Sequence, residues 1–257
     1  MKLADKLGAV IAPSSPEELV VNGIRIQLDH SILTHRLMYY DLYEENVMNF
    51  LKGYLEPGMI VLDAGANIGY FAAKCVGMIR PGGHVFSFEP SPTCLGIAER
   101  TGQLPGSSDR TLIPQAISDS VGTSVFYDTP RVITKGYACL KGTHLPGDRV
   151  EHPVTVTTID TFCAERGITH VDLLKLDIEG SEVPALRGSV RMLDERRIGA
   201  IIVEMNTEPS KMHEAITVAE LLQNAGMRSF HLQRNGRPLP INVLARTDLR
   251  EDVLWMR

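Results

Sequence analysis

The sequence predicts an α/β fold: a mostly parallel sheet with helices on both faces. Three observations predict it. Short apolar runs recur along the 257-residue chain, at Ile60–Leu62, Val85–Phe88, Leu112–Ile117, Val171–Leu176 and Ala200–Val203, with helix-like stretches between them. Four of the five runs stop at an acidic residue: Asp63, Glu89, Asp177 and Glu204. A glycine-bearing turn, Asp63–Gly69, joins the first run to the helix after it.

The elements follow in order. Residues 1–36 read as an N-terminal extension and 37–257 as the main domain. Within the extension, Leu19–Leu28 reads as a hairpin turning at Asn22-Gly23. Leu37–Leu55 is expected as one helix, ending before Pro57-Gly58. Tyr70–Ile79 and Pro92–Arg100 are the next two helices, separated by the breaker Pro81-Gly82-Gly83 and the second strand. Val125–Asp128 and Val154–Ile159 flank a polar stretch, and residues 129–151 are expected as a substrate flap. Further helices are expected at Ile159–Arg166, Val183–Leu193 and Ala215–Asn224. Arg228–Leu232 and Ile241–Ala245 are expected to close the sheet as an antiparallel pair.

Composition narrows the class. Hydrophobic residues make up 44% of the chain and charged residues 22%, which suits a soluble domain with a sizeable core. The net charge of -5 provides no global field toward nucleic acid or anionic lipid, so neither is expected as a partner. No stretch approaches the roughly 20 apolar residues of a membrane span. The N-terminal residues lack a signal-peptide run. Cys75, Cys94, Cys139 and Cys163 form no Cys-x-x-Cys pair and no metal-site spacing with histidine. Reduced thiols and a cytoplasmic location are expected.

Ligands of open α/β sheets bind outside the carboxyl ends of the strands, which is where the acidic residues fall. Gly65 and Gly69 let the turn bend sharply and approach a ligand closely. Asn67 stands where a dinucleotide fingerprint has its middle glycine. Asp63 is a poor neighbour for a pyrophosphate and a good one for an ammonium group, such as that of S-adenosylmethionine (SAM). Glu89, about twenty residues beyond the turn, is placed to hold a ribose diol. Pro90, Ser91, Ala116 and Ile117 are placed to line an adenine ring. Glu89 alone fits NAD as well, so an NAD-dependent oxidoreductase is the competing enzyme reading. Asn67 and the Asp177–Glu182 segment weigh against it.

Together, VLDAGANIGYF (61–71), FSFEPSP (86–92), AIS (116–118), LLKLDIEGSE (173–182) and IIVEMN (201–206) resemble the FkbM-type family of SAM-dependent methyltransferases. The likeness covers most of the chain from Tyr43 onward. It implies a Rossmann-like methyltransferase fold with a central seven-stranded sheet that includes a C-terminal antiparallel strand. It implies O-methylation of a hydroxyl on a small secondary metabolite or sugar, with N-methylation as the alternative. By the same resemblance, Gly65 approaches the methionine portion of SAM and Asp63 orders that loop. Glu89 binds the ribose, Asp177 faces the methionine end or the acceptor, and Tyr43 and Glu44 close over the cofactor. A homodimer is compatible with the family.

A hydroxyl acceptor must lose a proton. Asp177, Glu204 and Glu179 are the candidates to take it, the first two favoured because they follow central strands. Glu179 has a competing role as a cap for the helix near Ser181. An ordinary carboxylate is a weak base, so burial or a neighbouring charge must raise its pKa. His30, His35, His144 and His152 are second candidates near neutral pH. Asp177, Glu204 and Asn206 form an alternative oxygen set for Mg²⁺. It is not favoured, because helix caps and cofactor contacts account for the same residues. A nucleic-acid methyltransferase is disfavoured by the acidic charge. A catalytically silent binding domain is disfavoured by the density of strand-end carboxylates.

Overall fold

The computed structural model describes residues 17–100, 109–128, 139–140, 150–247 and 249–257. The expected flap at 129–151 falls largely outside the described residues, as does His144. The hairpin forms as expected from β1 (Glu17–Val21) and β2 (Ile24–Leu28). Its turn has positive φ at both Asn22 and Gly23, the geometry that matches strand twist. Ile24, Ile26 and Leu28 alternate inward and join the core, and the Asn22 amide donates to the Ala73 carbonyl at 2.9 Å.

The expected helix over Leu37–Leu55 is two helices, α1 (Leu33–Tyr39) and α2 (Glu45–Tyr54). A left-handed Asp41 (φ 57°) ends the first, with the Leu42 N–H bonded to the Leu37 carbonyl and the Asp41 N–H to that of Met38. The Asp41 carboxylate is pinned to the later helix Tyr70–Ile79 by the Tyr70 hydroxyl and Lys74. No glycine or proline marks this bend in the sequence.

The main sheet has eight strands, not seven. These are β3 (Ile60–Ala64), β4 (His84–Phe88), β5 (Arg110–Ile113), β10 (Val171–Leu176), β11 (Ile198–Asn206), β12 (Arg228–Leu232), β13 (Pro238–Pro240) and β14 (Arg250–Met256). Their order is β13-β12-β14-β11-β10-β3-β4-β5. From β5 to β11 neighbours run parallel, and β14 lies antiparallel between β11 and β12. The eighth strand is the three-residue edge β13.

Two expectations are corrected here. Ile241–Ala245 is no strand: Val243–Ala245 is a 3-10 turn, and the inner partner of β12 is β14. The charged start of β14, Arg250-Glu251-Asp252, hides a strand whose Val253, Leu254 and Trp255 are fully buried. Leu112–Ile117 is also not one strand. Pro114, which has no N–H to donate, divides it into β5 and β6 (Gln115–Ile117). The second piece joins a smaller sheet, β6-β9-β7-β8, with β7 (Gly122–Asp128), β8 (Cys139–Leu140) and β9 (Val150–Thr157).

Helices α3 (Tyr70–Ile79) and α4 (Pro92–Arg100) follow β3 and β4. One sheet face packs on the hairpin and on α1, α2 and α3. The other packs on α5 (Ile159–Glu165), α6 (Glu182–Arg187), α7 (Val190–Asp194) and α8 (Met212–Asn224). The single helix expected over Val183–Leu193 is the pair α6 and α7. At Gly188 between them, a Cβ would stand 2.1 Å from the Ser118 carbonyl oxygen, so the chain passes too close for any side chain. Among the described residues, no helix is long and apolar enough to cross a membrane.

Candidate active site

The glycine turn is built by close approach. Gly65 has φ 88°, and its N–H and that of Ala66 both donate to the Phe88 carbonyl, at 2.9 and 3.0 Å. A Cβ on Gly65 would lie 1.8 Å from the carbonyl oxygen of Asp177, so only glycine fits between β4 and β10. Gly69 (φ 85°) starts α3 from beneath, against the Arg110 guanidinium, and does not reach the cavity wall. Asn67 is left-handed (φ 49°) and donates its N–H to Glu89 Oε2 at 2.8 Å. The Ser91 N–H donates to Glu89 Oε1 at the same distance. Glu89 thus ties the turn to the start of α4.

Above these strand ends lies a cavity of about 910 Å³. Strand order spreads its wall into two ends. Beyond β4 and β5 stand Glu89, Pro90, Ser91, Cys94, Ala116 and Ile117. Around the ends of β10, β11 and β14 stand Lys175, Asp177, Glu179, Glu204 and Asp252, with Tyr43 and Glu44 brought over them by the bend before α2. Gly65 and Asn67 lie between, beyond β3. Asp63 is not on the wall. It is buried under the turn, level with Lys175 across the sheet, and neither of its oxygens has a hydrogen-bond partner among the described residues. Burial raises its pKa to about 6, against the pull of Lys175.

Lys175 is the residue that sequence reasoning missed. Its ammonium is buried, 2.8 Å from Asp177 Oδ2, 3.3 Å from Glu44 Oε1 and 5.0 Å above the Phe71 ring. Burial alone pulls a lysine pKa down. Here the Asp177, Glu44 and Asp252 carboxylates more than reverse that, and it lies well above the ordinary value. The available signal was one cation inside the apolar run Val171–Leu176, since a lysine in a buried strand needs partners. Asp252 was missed with its strand. It sits across from Glu204, and burial together with the nearby Glu44 pushes its pKa well up.

Asp177, Glu179 and Glu204 come together, with one carboxylate oxygen of each within 4.8 Å of the others. Desolvation in the cleft, with Glu204 and Asp177 adding repulsion, raises Glu179 to about 8. Glu204 is raised for the same reasons, burial first and Asp177 next. Glu179 does not cap the following helix. Glu182 Oε1 accepts the N–H groups of Ile178 and Gly180 instead, which leaves Glu179 on the wall. Asn206 accepts the Glu208 N–H at 2.9 Å and is not on the cavity wall.

Of the histidines, His35 stands on the wall, while His30 and His152 do not. Burial lowers the His35 pKa to about 4, so it is neutral and a poor base near pH 7.

The methyltransferase FkbM domain profile matches residues 63–229. The 2-O-methyltransferase NoeI of Sinorhizobium fredii is 30% identical over 154 residues, covering 55% of this chain and 62% of the relative. The hexuronic acid methyltransferase AglP of Haloferax volcanii is 25% identical, covering 85% and 86%. The 31-O-demethyl-FK506 methyltransferase FkbM of Streptomyces tacrolimicus is 27% identical, covering 64% and 72%. The profile takes in the glycine turn, Glu89, the Asp177 cluster and Glu204, the segments on which the sequence resemblance rested. The chain belongs to the methyltransferase FkbM domain family.

Proposed function

We propose that this chain is a SAM-dependent O-methyltransferase whose acceptor is a hydroxyl on a small molecule, a sugar or a secondary metabolite. One observation carries the reading. A single cavity joins a glycine turn and a diol-type carboxylate, Glu89, to a cluster of crowded carboxylates with raised pKa values. Its volume lies at the upper end of the roughly 300–1,000 Å³ range of ligand sites, room for a cofactor and part of an acceptor. Two of the three relatives are named for transfer to an oxygen, which supports a hydroxyl acceptor. The net charge of -5 supports a small molecule over nucleic acid. The buried free thiols Cys75, Cys94 and Cys163 support a reducing, cytoplasmic setting.

The donor set fits SAM. Glu89 presents acceptors for a ribose diol, and Ser91, Ala116 and Ile117 flank it as an adenine wall. Glu44 and Asp177 offer negative charge to the amino-acid end. SAM supplies a methyl group already activated on a sulfonium, so the protein's work is alignment, exclusion of water and removal of one proton. Lys175 fixes Asp177 through a 2.8 Å ion pair, which suits Asp177 to orient groups rather than to accept a proton. Glu204 and Glu179 take the hydroxyl proton. Burial, with repulsion from neighbouring carboxylates, raises the pKa of both, that of Glu179 to about 8, and a carboxylate so raised is a stronger base. A Mg²⁺ ion held by the same oxygens is not favoured, because Lys175 already supplies the positive charge to Asp177.

The test is calorimetric titration with S-adenosylhomocysteine and, separately, with NAD⁺. Micromolar binding of the first and none of the second is expected, and the reverse pattern would overturn the assignment.

A further inference from the structure

His35 lies outside the residues that match the family profile, in a segment whose role no motif assigns. It belongs to α1, which places Leu33, Thr34, His35 and Met38 on the cavity wall. The side chain is 4% exposed. Its Nδ1 accepts the backbone N–H of Asp29 at 2.9 Å. A ring nitrogen that accepts from an N–H must offer its lone pair, so the neutral imidazole carries its proton on Nε2. The tautomer is therefore fixed by the backbone. Burial keeps the ring neutral, and Nε2–H has no hydrogen-bond partner among the described residues.

The end of the cavity that this donor serves follows from its anchorage. β2 packs on α4, whose Cys94 stands on the wall beside Glu89 and Ser91. Asp29 follows β2 directly, and it is Asp29 that holds the ring. The ring thus belongs to the Glu89 end.

We propose that His35 is a cofactor-binding residue that donates Nε2–H to an acceptor on the adenosine half of the cofactor, a ring nitrogen or a ribose oxygen. This rests on the SAM reading. It makes the N-terminal segment part of the cofactor site, fixed there by the hairpin rather than by the sheet.

The test is calorimetry on the full chain with S-adenosylhomocysteine and with 5′-methylthioadenosine, which keeps the adenosine and lacks the amino acid. His35→Asn retains an acceptor for the Asp29 N–H and removes the distal donor. His35→Gln restores a donor near Nε2. His35→Asn is expected to weaken both ligands equally, by about five- to tenfold, and His35→Gln to recover part of the loss. In the wild-type chain, the imidazole Nε2–H proton should shift downfield and gain protection from exchange when methylthioadenosine is added. Equal affinities in wild type and a folded His35→Asn would overturn the proposal. So would a loss confined to S-adenosylhomocysteine, or an Nε2–H signal that ignores methylthioadenosine. A wild-type chain that binds neither ligand would fail the SAM reading itself, and the inference with it, before any variant is made.

Discussion

The two ends of the cavity are made of different material. At the Glu89 end the wall is neutral apart from one carboxylate, and that carboxylate already accepts two backbone N–H groups at 2.8 Å. At the other end, Glu44, Asp177, Glu179, Glu204 and Asp252 crowd around one buried ammonium, and several hold pKa values above the ordinary carboxylate range. At the first end the one carboxylate is held by backbone donors before any ligand arrives, as suits binding. The second carries unrelieved charge, as suits proton transfer. The lesson is that residue type alone does not assign a role: Glu89 and Glu204 both follow an apolar run, and their surroundings separate them.

That division can be broken by experiment. Glu204→Gln should lower methyl transfer by about 10²- to 10⁴-fold, the range of a lost general base, with S-adenosylhomocysteine affinity kept within about twofold. An equal loss of affinity would merge the two ends. Gly65→Ala should weaken S-adenosylhomocysteine by about 100-fold in calorimetry and lower the thermal midpoint, because the new methyl group meets the Asp177 carbonyl and the φ is unfavourable. Glu89→Gln should weaken binding by about ten- to 100-fold, since the amide nitrogen would face a backbone N–H, while the rate at saturating cofactor changes little.

A pH profile sharpens the same contrast. Glu179, raised to about 8, is protonated and unable to accept a proton below that pH, and ionised above it. The transfer rate should therefore rise from about pH 6.5 to about 8.5. Glu179→Gln should flatten or shift that rise. The smallest effect is expected from chelation: EDTA should change the rate by less than about twofold, and a larger fall with recovery on Mg²⁺ would give the carboxylate cluster to a metal.

What the sequence made legible was local. A short apolar run followed by a carboxylate marks a strand and its end within a few residues, so Glu89, Asp177 and Glu204 were found without knowledge of the fold. Gly65 was legible as a special position, although the reason, the Asp177 carbonyl pressed against it, joins residues more than a hundred positions apart. Contacts between distant segments were not legible. Lys175 acquires its meaning from Glu44, which arrives through a bend at Asp41 that reads as continuous helix. Asp252 sits on a strand whose charged start resembles a surface loop. Asp63 was expected to meet a ligand because it follows an apolar run, but the sheet register turns it under the glycine turn.

The arrangement of Lys175 among its carboxylates also bears on how one turnover gives way to the next. During the proposed transfer, positive charge leaves the sulfur as a proton arrives on Glu204 or Glu179. This end of the cavity therefore crosses the step with no change in total charge, and solvent need not reorganise to compensate. The imbalance comes afterwards, when that proton escapes to water. The pocket is then one unit more negative and contains an uncharged thioether, which its field no longer grips. Fresh and spent cofactor differ by only a methyl group in shape, but by a full charge in sign, and the cluster can sort them on that basis.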